Sequence, residues 1–172
     1  GKALGLPVTI TIRGSKDEWL VNTDRRPRLI EAMQTAAKLF AVSEALKRNV
    51  PQALGIDPEK VRVIGNGVDL HKFEPVDRAT ARRRLGIGDN AKVLIGVGNL
   101  IPTKGFHRVI PLLPAMRTRY PTLLFLIVGG GASQGDMRGE LEALSKEHDV
   151  EDIVRFCGRQ PHDDLKWYYG AA

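Results

Sequence analysis

The chain has 172 residues, 42% of them hydrophobic and 27% charged, with a formal net charge of +6 and an isoelectric point near 9.7. That is the composition of an ordinary globular protein, long enough for one large or two small domains. No apolar run reaches the roughly 20 residues that a membrane-spanning helix needs, and the single cysteine, Cys157, excludes an intramolecular disulfide.

A lone cysteine suits a reducing compartment. Residue 1 is glycine and no basic-then-apolar leader follows, so the chain reads as an excised piece or a processed start. The positive balance admits a phosphate ligand, an anionic membrane surface or a nucleic acid. Nucleic acid is not expected, because there is no zinc spacing, no stacked-aromatic signature and only 6% aromatic residues. Charge concentrates at Arg78, Arg82, Arg83 and Arg84, read either as a solvated helix face or as a membrane-surface contact.

In chain order, Val8–Arg13 is the first predicted strand, closed by Gly14. Leu29, Ile30, Met33, Ala36 and Ala37 recur at helical spacing and predict a helix over 28–39, followed by a short strand at 40–42. Ser43 suits the N-cap of a helix that stops at Gly55. Asp57-Pro58 is a turn, and Val61–Ile64 is another strand. Residues 65–76 lose periodicity around Gly65, Gly67 and Pro75 and read as a connection between domains, placing the boundary between 1–70 and 71–172.

The second series opens with a short basic helix over 79–85, stopped by Gly86, and a strand over 92–98. Phe106, Val109, Ile110, Leu113 and Met116 share a helical face, but Pro111 and Pro114 fall inside it and predict a kink or a late start. Thr122–Val128 is a strand, all apolar from Leu123 onward, that ends in three glycines. Ser133 and Asp136 can both cap the next helix, whose buried face includes Met137, Leu141 and Leu144. Residues 152–157 form a third strand, and Pro161, Asp163 and Asp164 suit the first turn of a final helix. Strict alternation predicts α/β architecture: two Rossmann-like parallel sheets with ligands at the C-terminal strand edge. About three strands in each series, where an open sheet has five or six, predict that both domains are incomplete in this chain.

Four stretches carry a resemblance to the retaining glycosyltransferases of family 4, which have the two-domain GT-B fold. Thr11-Ile12-Arg13-Gly14-Ser15-Lys16-Asp17 is similar to the family's Thr-x-His-Gly-x-Asp. Asn66-Gly67-Val68-Asp69, with Phe73 and Pro75, is similar to its interdomain Asn-Gly-Val-Asp-x-x-x-Phe-x-Pro. Gly98-Asn99-Leu100-Ile101-Pro102-Thr103-Lys104-Gly105 is similar to Gly-Arg-Leu-x-x-x-Lys-Gly, and Val128–Gly131 with Phe156–Arg159 match its later glycine turns. The order and spacing make the match specific over essentially the whole chain. It implies an acceptor-side part at 1–70, a donor-side part at 71–172, a nucleoside-diphosphate sugar as donor, and a glycan or lipid-linked hydroxyl acceptor. It also implies glycan or polysaccharide biosynthesis, no metal or other cofactor, and a cytoplasmic site of action, at the inner face of the membrane if the arginines touch it.

Residue by residue, the resemblance gives Lys104 the donor diphosphate. A lysine is a compact cation that can stabilise a leaving diphosphate as its charge grows, and one at a helix start opposes the dipole unless an anion is near. Gly98 would let the donor lie against the backbone. Asn99 stands where many members carry a phosphate-binding arginine, so one charge is lost. It either donates to phosphate or sugar or caps a turn. Gly158 and Arg159 would lie beside the base, with a plain strand-to-helix turn as the alternative. Arg13 replaces a histidine at the cleft; it can bind an anion but cannot act as a base, and an ion pair with Asp17 is the alternative. A Glu-seven-Glu pair that contacts sugar and ribose in relatives would follow shortly after Ala172, so this chain alone is expected not to catalyse.

Gly129, Gly130 and Gly131 do not complete a dinucleotide fingerprint, since Ala132-Ser133-Gln134-Gly135 follows; a close helix–strand turn is the reading preferred. A dinucleotide-binding oxidoreductase domain is the weaker enzyme alternative, and an inactive or binding-only module is the non-enzymatic one. His71, His107, His148 and His162 show no metal spacing. His107 reads as a satisfied surface residue, His162 as part of the last helix's first turn, Cys157 as a small buried residue and Ser43 as a cap.

Overall fold

A computed structural model describes residues 4–14 and 24–172. The chain divides into two units, Gly1–Val68 and Asp69–Ala172. Among the described residues each contains a three-stranded parallel sheet.

In the first unit the strands are β1 (Thr9–Ile12), β2 (Lys38–Ala41) and β3 (Val61–Val63), ordered as they occur in the chain. Ile12 stands opposite Ala41, and Ala41 opposite Val63. Helix α1 (Arg26–Thr35) connects the first two strands and α2 (Glu44–Ala53) the last two. The helix foreseen over 28–39 ends four residues earlier. The Ala37 N–H donates to Val8 O at 2.8 Å, so the chain there already belongs to the sheet. Strand pairing overrides the helical spacing of Ala36, Ala37 and Leu39, and β2 starts at Lys38 rather than at residue 40. Ser43 caps α2, its Oγ accepting from the Leu46 N–H at 3.3 Å. Gly55 takes the left-handed conformation just past the end (φ 70°), as the sequence predicts. Ile12, Met33, Leu39, Ala41, Val50, Leu54 and Val61 form the core.

The second unit holds β4 (Lys92–Val97), β5 (Leu123–Val128) and β6 (Val154–Gly158), again in chain order. Along β5, Leu123, Phe125 and Ile127 enter one core with Leu100, Phe106, Ile110, Leu113 and Leu141. Leu126 and Val128 enter a second core with Ala81, Ile87, Tyr168 and Ala171. Period-two alternation with both faces apolar is what a strand covered on both sides requires. Fully burying a side chain such as Phe125 contributes about 2–3 kcal/mol.

The helix interrupted by prolines is broken, as foreseen. Helix α4 (Phe106–Val109) passes through a 3₁₀ turn at Ile110–Leu112 into α5 (Leu113–Arg119), with Pro111 and Pro114 each at the start of a segment. There their missing N–H groups cost nothing. Helix α6 (Arg138–Glu147) follows Asp136, whose Oδ1 accepts from the Arg138 N–H at 3.0 Å. Ser133 is not a cap, because it lies in the tight turn closed by Ala132 and Gly135. A 3₁₀ turn at His162–Asp164 leads into α7 (Leu165–Ala171).

The basic helix is α3 (Arg78–Leu85), and it corrects the reading of its arginines as one solvated or membrane-facing set. Arg82 is buried, at 6% exposure. Its Nε donates to Ala171 O at 3.1 Å, its Nη2 to Ala91 O at 3.0 Å, and its Nη1 to Asp89 O. A guanidinium has enough donors in fixed directions to serve three carbonyls, and burial is tolerable because it is so bonded. Arg82 therefore cannot meet a membrane surface. Arg84 pairs with Asp164 at 3.2 Å and lies over the Trp167 ring, while Arg78 and Arg83 are exposed.

Among the described residues no helix is long and apolar enough to cross a membrane, and no three His, Cys, Asp or Glu gather as a metal site.

Candidate functional site

In the second unit parallel pairing brings the C-terminal ends of β4, β5 and β6 to one edge, and glycines follow each strand. The ends are tied by backbone bonds. Gly98 N–H donates to Val128 O at 2.9 Å, Leu100 N–H to Gly130 O at 3.0 Å, and Gly129 N–H to Gly158 O at 2.9 Å. A Cβ on Gly129 would sit 1.8 Å from Gly98 O, so only glycine lets the two strand ends approach this closely.

Lys104 ends the 3₁₀ turn Pro102–Lys104, just before Gly105 in the left-handed conformation (φ 75°) and the start of α4. Its aliphatic stem lies over Gly98: a Cβ there would meet Lys104 Cδ at 3.2 Å and Cε at 3.3 Å. The sequence reading has Gly98 bare so that a ligand can approach. In the folded chain the bare backbone is also the seat of the lysine stem. Lys104 is exposed, and no carboxylate pairs with it among the described residues.

Asn99 is exposed at the same edge, and its carbonyl accepts from the Ile101 N–H at 2.9 Å. The turn at 99–101 is thus closed by backbone, and no bond from the Asn99 side chain occurs among the described residues. Gly158 follows with φ 70°. Arg159 crosses Gly130, and its Nη2 donates to Gly131 O at 2.8 Å. Gln160 Nε2 donates to Cys157 O at 2.6 Å. Burial pushes the Cys157 thiol above its ordinary value.

Gly98, Asn99, Lys104, Gly158 and Arg159 therefore belong to one strand edge. Arg13 is on the other unit, exposed just past β1. Its alternative partner Asp17, with Ser15 and Lys16 of the same motif, lies outside the described residues.

Sequence reasoning did not single out Gln160 and took Gly129 only as part of a glycine turn. The run of three glycines was a signal for Gly129, but only the register shows which of them faces the β4 backbone. His107 departs from expectation: its Nδ1 is buried without a partner among the described residues, so it is not a satisfied surface histidine. His162 stands edge-on to Phe73 at 4.9 Å, and Lys72 pairs with Asp163 at 3.0 Å. That pair holds the Asp163 carboxyl below its ordinary range and the Lys72 ammonium above its own.

Residues 77–172 match the family described as glycosyl transferases group 1, and residues 1–72 match glycosyltransferase family 4. A D-inositol 3-phosphate glycosyltransferase from Actinosynnema mirum is 36% identical over 155 residues, which is 86% of this chain and 37% of that protein. One from Kribbella flavida is 32% identical over 147 residues, 83% of this chain and 35% of that protein. The chain thus spans about a third of the length of these curated relatives. Among solved structures, Anabaena HepE in complex with UDP and glucose superposes with a TM-score of 0.75 at 24% identity, over 96% of this chain and 44% of that one. Sucrose-phosphate synthase from Thermosynechococcus elongatus gives 0.72 at 24% identity, over 92% and 39%. These likenesses show the fold: two α/β units of the GT-B type.

Proposed function

Since the chain belongs to the glycosyltransferase family, with its group 1 part at 77–172 and its family 4 part at 1–72, we propose that the intact protein moves a sugar from a nucleoside-diphosphate sugar to a hydroxyl acceptor with retention at the anomeric carbon. Residues 71–172 hold the donor and residues 1–70 belong to the acceptor side. The observation that carries this reading is the shared edge of β4, β5 and β6, with the Lys104 stem laid along Gly98.

Charge builds on the leaving diphosphate as the glycosidic bond breaks. A preorganised ammonium near that oxygen favours the transition state over the ground state. Lys104 supplies it, Gly98 gives the backbone room, and Asn99 donates a neutral hydrogen bond in place of an arginine. We assign no metal to the step. Gly158 and Arg159 flank the base. The UDP-glucose complex of HepE supports a uridine donor by analogy of fold. For the acceptor, a glycan or lipid-linked hydroxyl is the general reading. The names of the curated relatives favour a phosphorylated polyol such as D-inositol 3-phosphate, an anion that Arg13 suits. Action in the cytoplasm fits the single cysteine. Any membrane contact through α3 would rest on Arg78 and Arg83.

The test is nucleotide binding and turnover by the intact protein. UDP or GDP should bind in a calorimeter, and Lys104→Ala should weaken the binding about tenfold or more, the scale of one charge-assisted contact. With the matching sugar nucleotide and D-inositol 3-phosphate or a glycan primer, NMR of the product should show the donor's anomeric configuration. Equal affinity of wild type and Lys104→Ala would remove Lys104 from the site, and an inverted product would remove the retaining mechanism.

A further inference from the structure

The glycine turn after β5 is held by a side chain that follows β6. Gly129 N–H is used in pairing with Gly158 O, and Gly130 O is used by Leu100 N–H. Gly131 O is taken by Arg159 Nη2 at 2.8 Å, and a Cβ on Gly130 would meet Arg159 Cβ at 3.6 Å, an ordinary contact. On its other side Gly131 lies against the Asp136 carboxylate, where a Cβ would meet Oδ2 at 2.6 Å. The carbonyls of Gly130 and Gly131 are thus both engaged. The N–H groups of Gly130 and Gly131, in contrast, find no acceptor among the described residues. Consecutive N–H groups without a protein acceptor in a partly exposed glycine turn form a concave site for an oxygen-rich or anionic group.

We propose that Arg159 is a positioning residue: its side chain pins Gly131 O and so presents the Gly130 and Gly131 N–H groups as hydrogen-bond donors to oxygen atoms of the nucleotide. This rests on the nucleotide-sugar reading and gives it a second contact surface, on β5, beside Lys104 on the β4 side. It also assigns the Arg159 side chain a role that a base contact through the backbone would not need. A lysine can make one bond to the same carbonyl, whereas methionine can fill the space but cannot donate.

The experiment compares wild type, Arg159→Met and Arg159→Lys in the intact protein. It reads amide hydrogen exchange over 129–135 without ligand, and UDP and GDP affinity by calorimetry. Circular dichroism checks that each variant is folded. Arg159→Met should raise exchange in the turn and weaken nucleotide binding about tenfold, and Arg159→Lys should restore most of both. Added UDP or GDP should slow exchange at residues 130 and 131 in the wild type. If Arg159→Met leaves exchange over 129–135 unchanged, the pinning is overturned, whatever the affinities. If exchange rises but UDP and GDP still bind as to the wild type, the turn is not a nucleotide contact. If the wild type binds neither nucleotide, the donor reading itself fails, while the exchange comparison still decides the pinning.

Discussion

Replacing Gly129 by alanine tests the geometry of the strand edge most directly. The new Cβ would lie 1.8 Å from Gly98 O and 2.7 Å from Gly98 C. Ordinary carbon–oxygen contact is about 3.3 Å, so the two backbones must part by about 1.5 Å. Neither atom is the end of a flexible side chain that could swing away. Parting the strands breaks Gly98 N–H to Val128 O and Leu100 N–H to Gly130 O, and it strains Gly129 N–H to Gly158 O. Two lost bonds at about 1 kcal/mol each, with about 1 kcal/mol of backbone strain at φ 151°, give a destabilisation of about 3 kcal/mol. Gly130→Ala is the control, because its Cβ would meet Arg159 Cβ at 3.6 Å, an ordinary contact, and should cost no more than about 0.5 kcal/mol. Urea and thermal unfolding of the intact protein read both. Gly129→Ala should lower Tm by about 6–12 °C and Gly130→Ala by at most 2 °C or so. Equal midpoints for the two variants would refute the close approach of β4 and β5.

Arg82→Met should destabilise by about 2–4 kcal/mol, because three carbonyls, that of buried Ala171 among them, lose their donor, whereas exposed Arg78→Met should change unfolding by less than about 0.5 kcal/mol. A similar effect from both would mean that α3 is the uniform solvated face its sequence suggests. The Lys72–Asp163 pair predicts a pH profile with two edges. Asp163 is shifted down, so its contribution is present above the unfolded carboxylate value and fades as pH falls below about 4. Lys72 is shifted up, so its contribution is full below about pH 10 and fades above it. The difference in Tm between wild type and Asp163→Asn should be flat from pH 6 to 9 and shrink below about pH 4; a difference that grows in acid would contradict the pairing. Cys157, half-buried with its thiol pushed up, should be alkylated by iodoacetamide at pH 8 at least about tenfold more slowly in the folded protein than in urea. Equal rates would show that the thiol is open to solvent.

Much of the fold is legible in the chain because its signals are local. The apolar runs at 93–97 and 123–128 predict strands covered on both faces, and β4 and β5 carry the core in that way. Ser43, Gly55, Gly86 and the prolines at 111 and 114 act within one turn of themselves, so their caps, stops and breaks need no knowledge of the rest. Strict alternation of strand and helix is enough to send the glycine-ended strands to one edge, and the family resemblance places Lys104 and Gly158 there with Gly98.

What the tertiary structure alone decides concerns partners distant in sequence. The end of α1 at Thr35 depends on Val8 O capturing the Ala37 N–H, an interaction that no helical periodicity encodes. Arg82 looks like its neighbours in a run of arginines. It is singled out by the carbonyl of Ala171, 89 residues away, which turns one of four similar cations into a buried strut. Gly129 is one of three successive glycines, and strand register makes it the one whose Cβ would strike the Gly98 backbone. Residue types and short spacings report propensity and chemistry, because those act over a few bonds. Which donor meets which carbonyl is set by packing across the sheet, where sequence distance has no meaning.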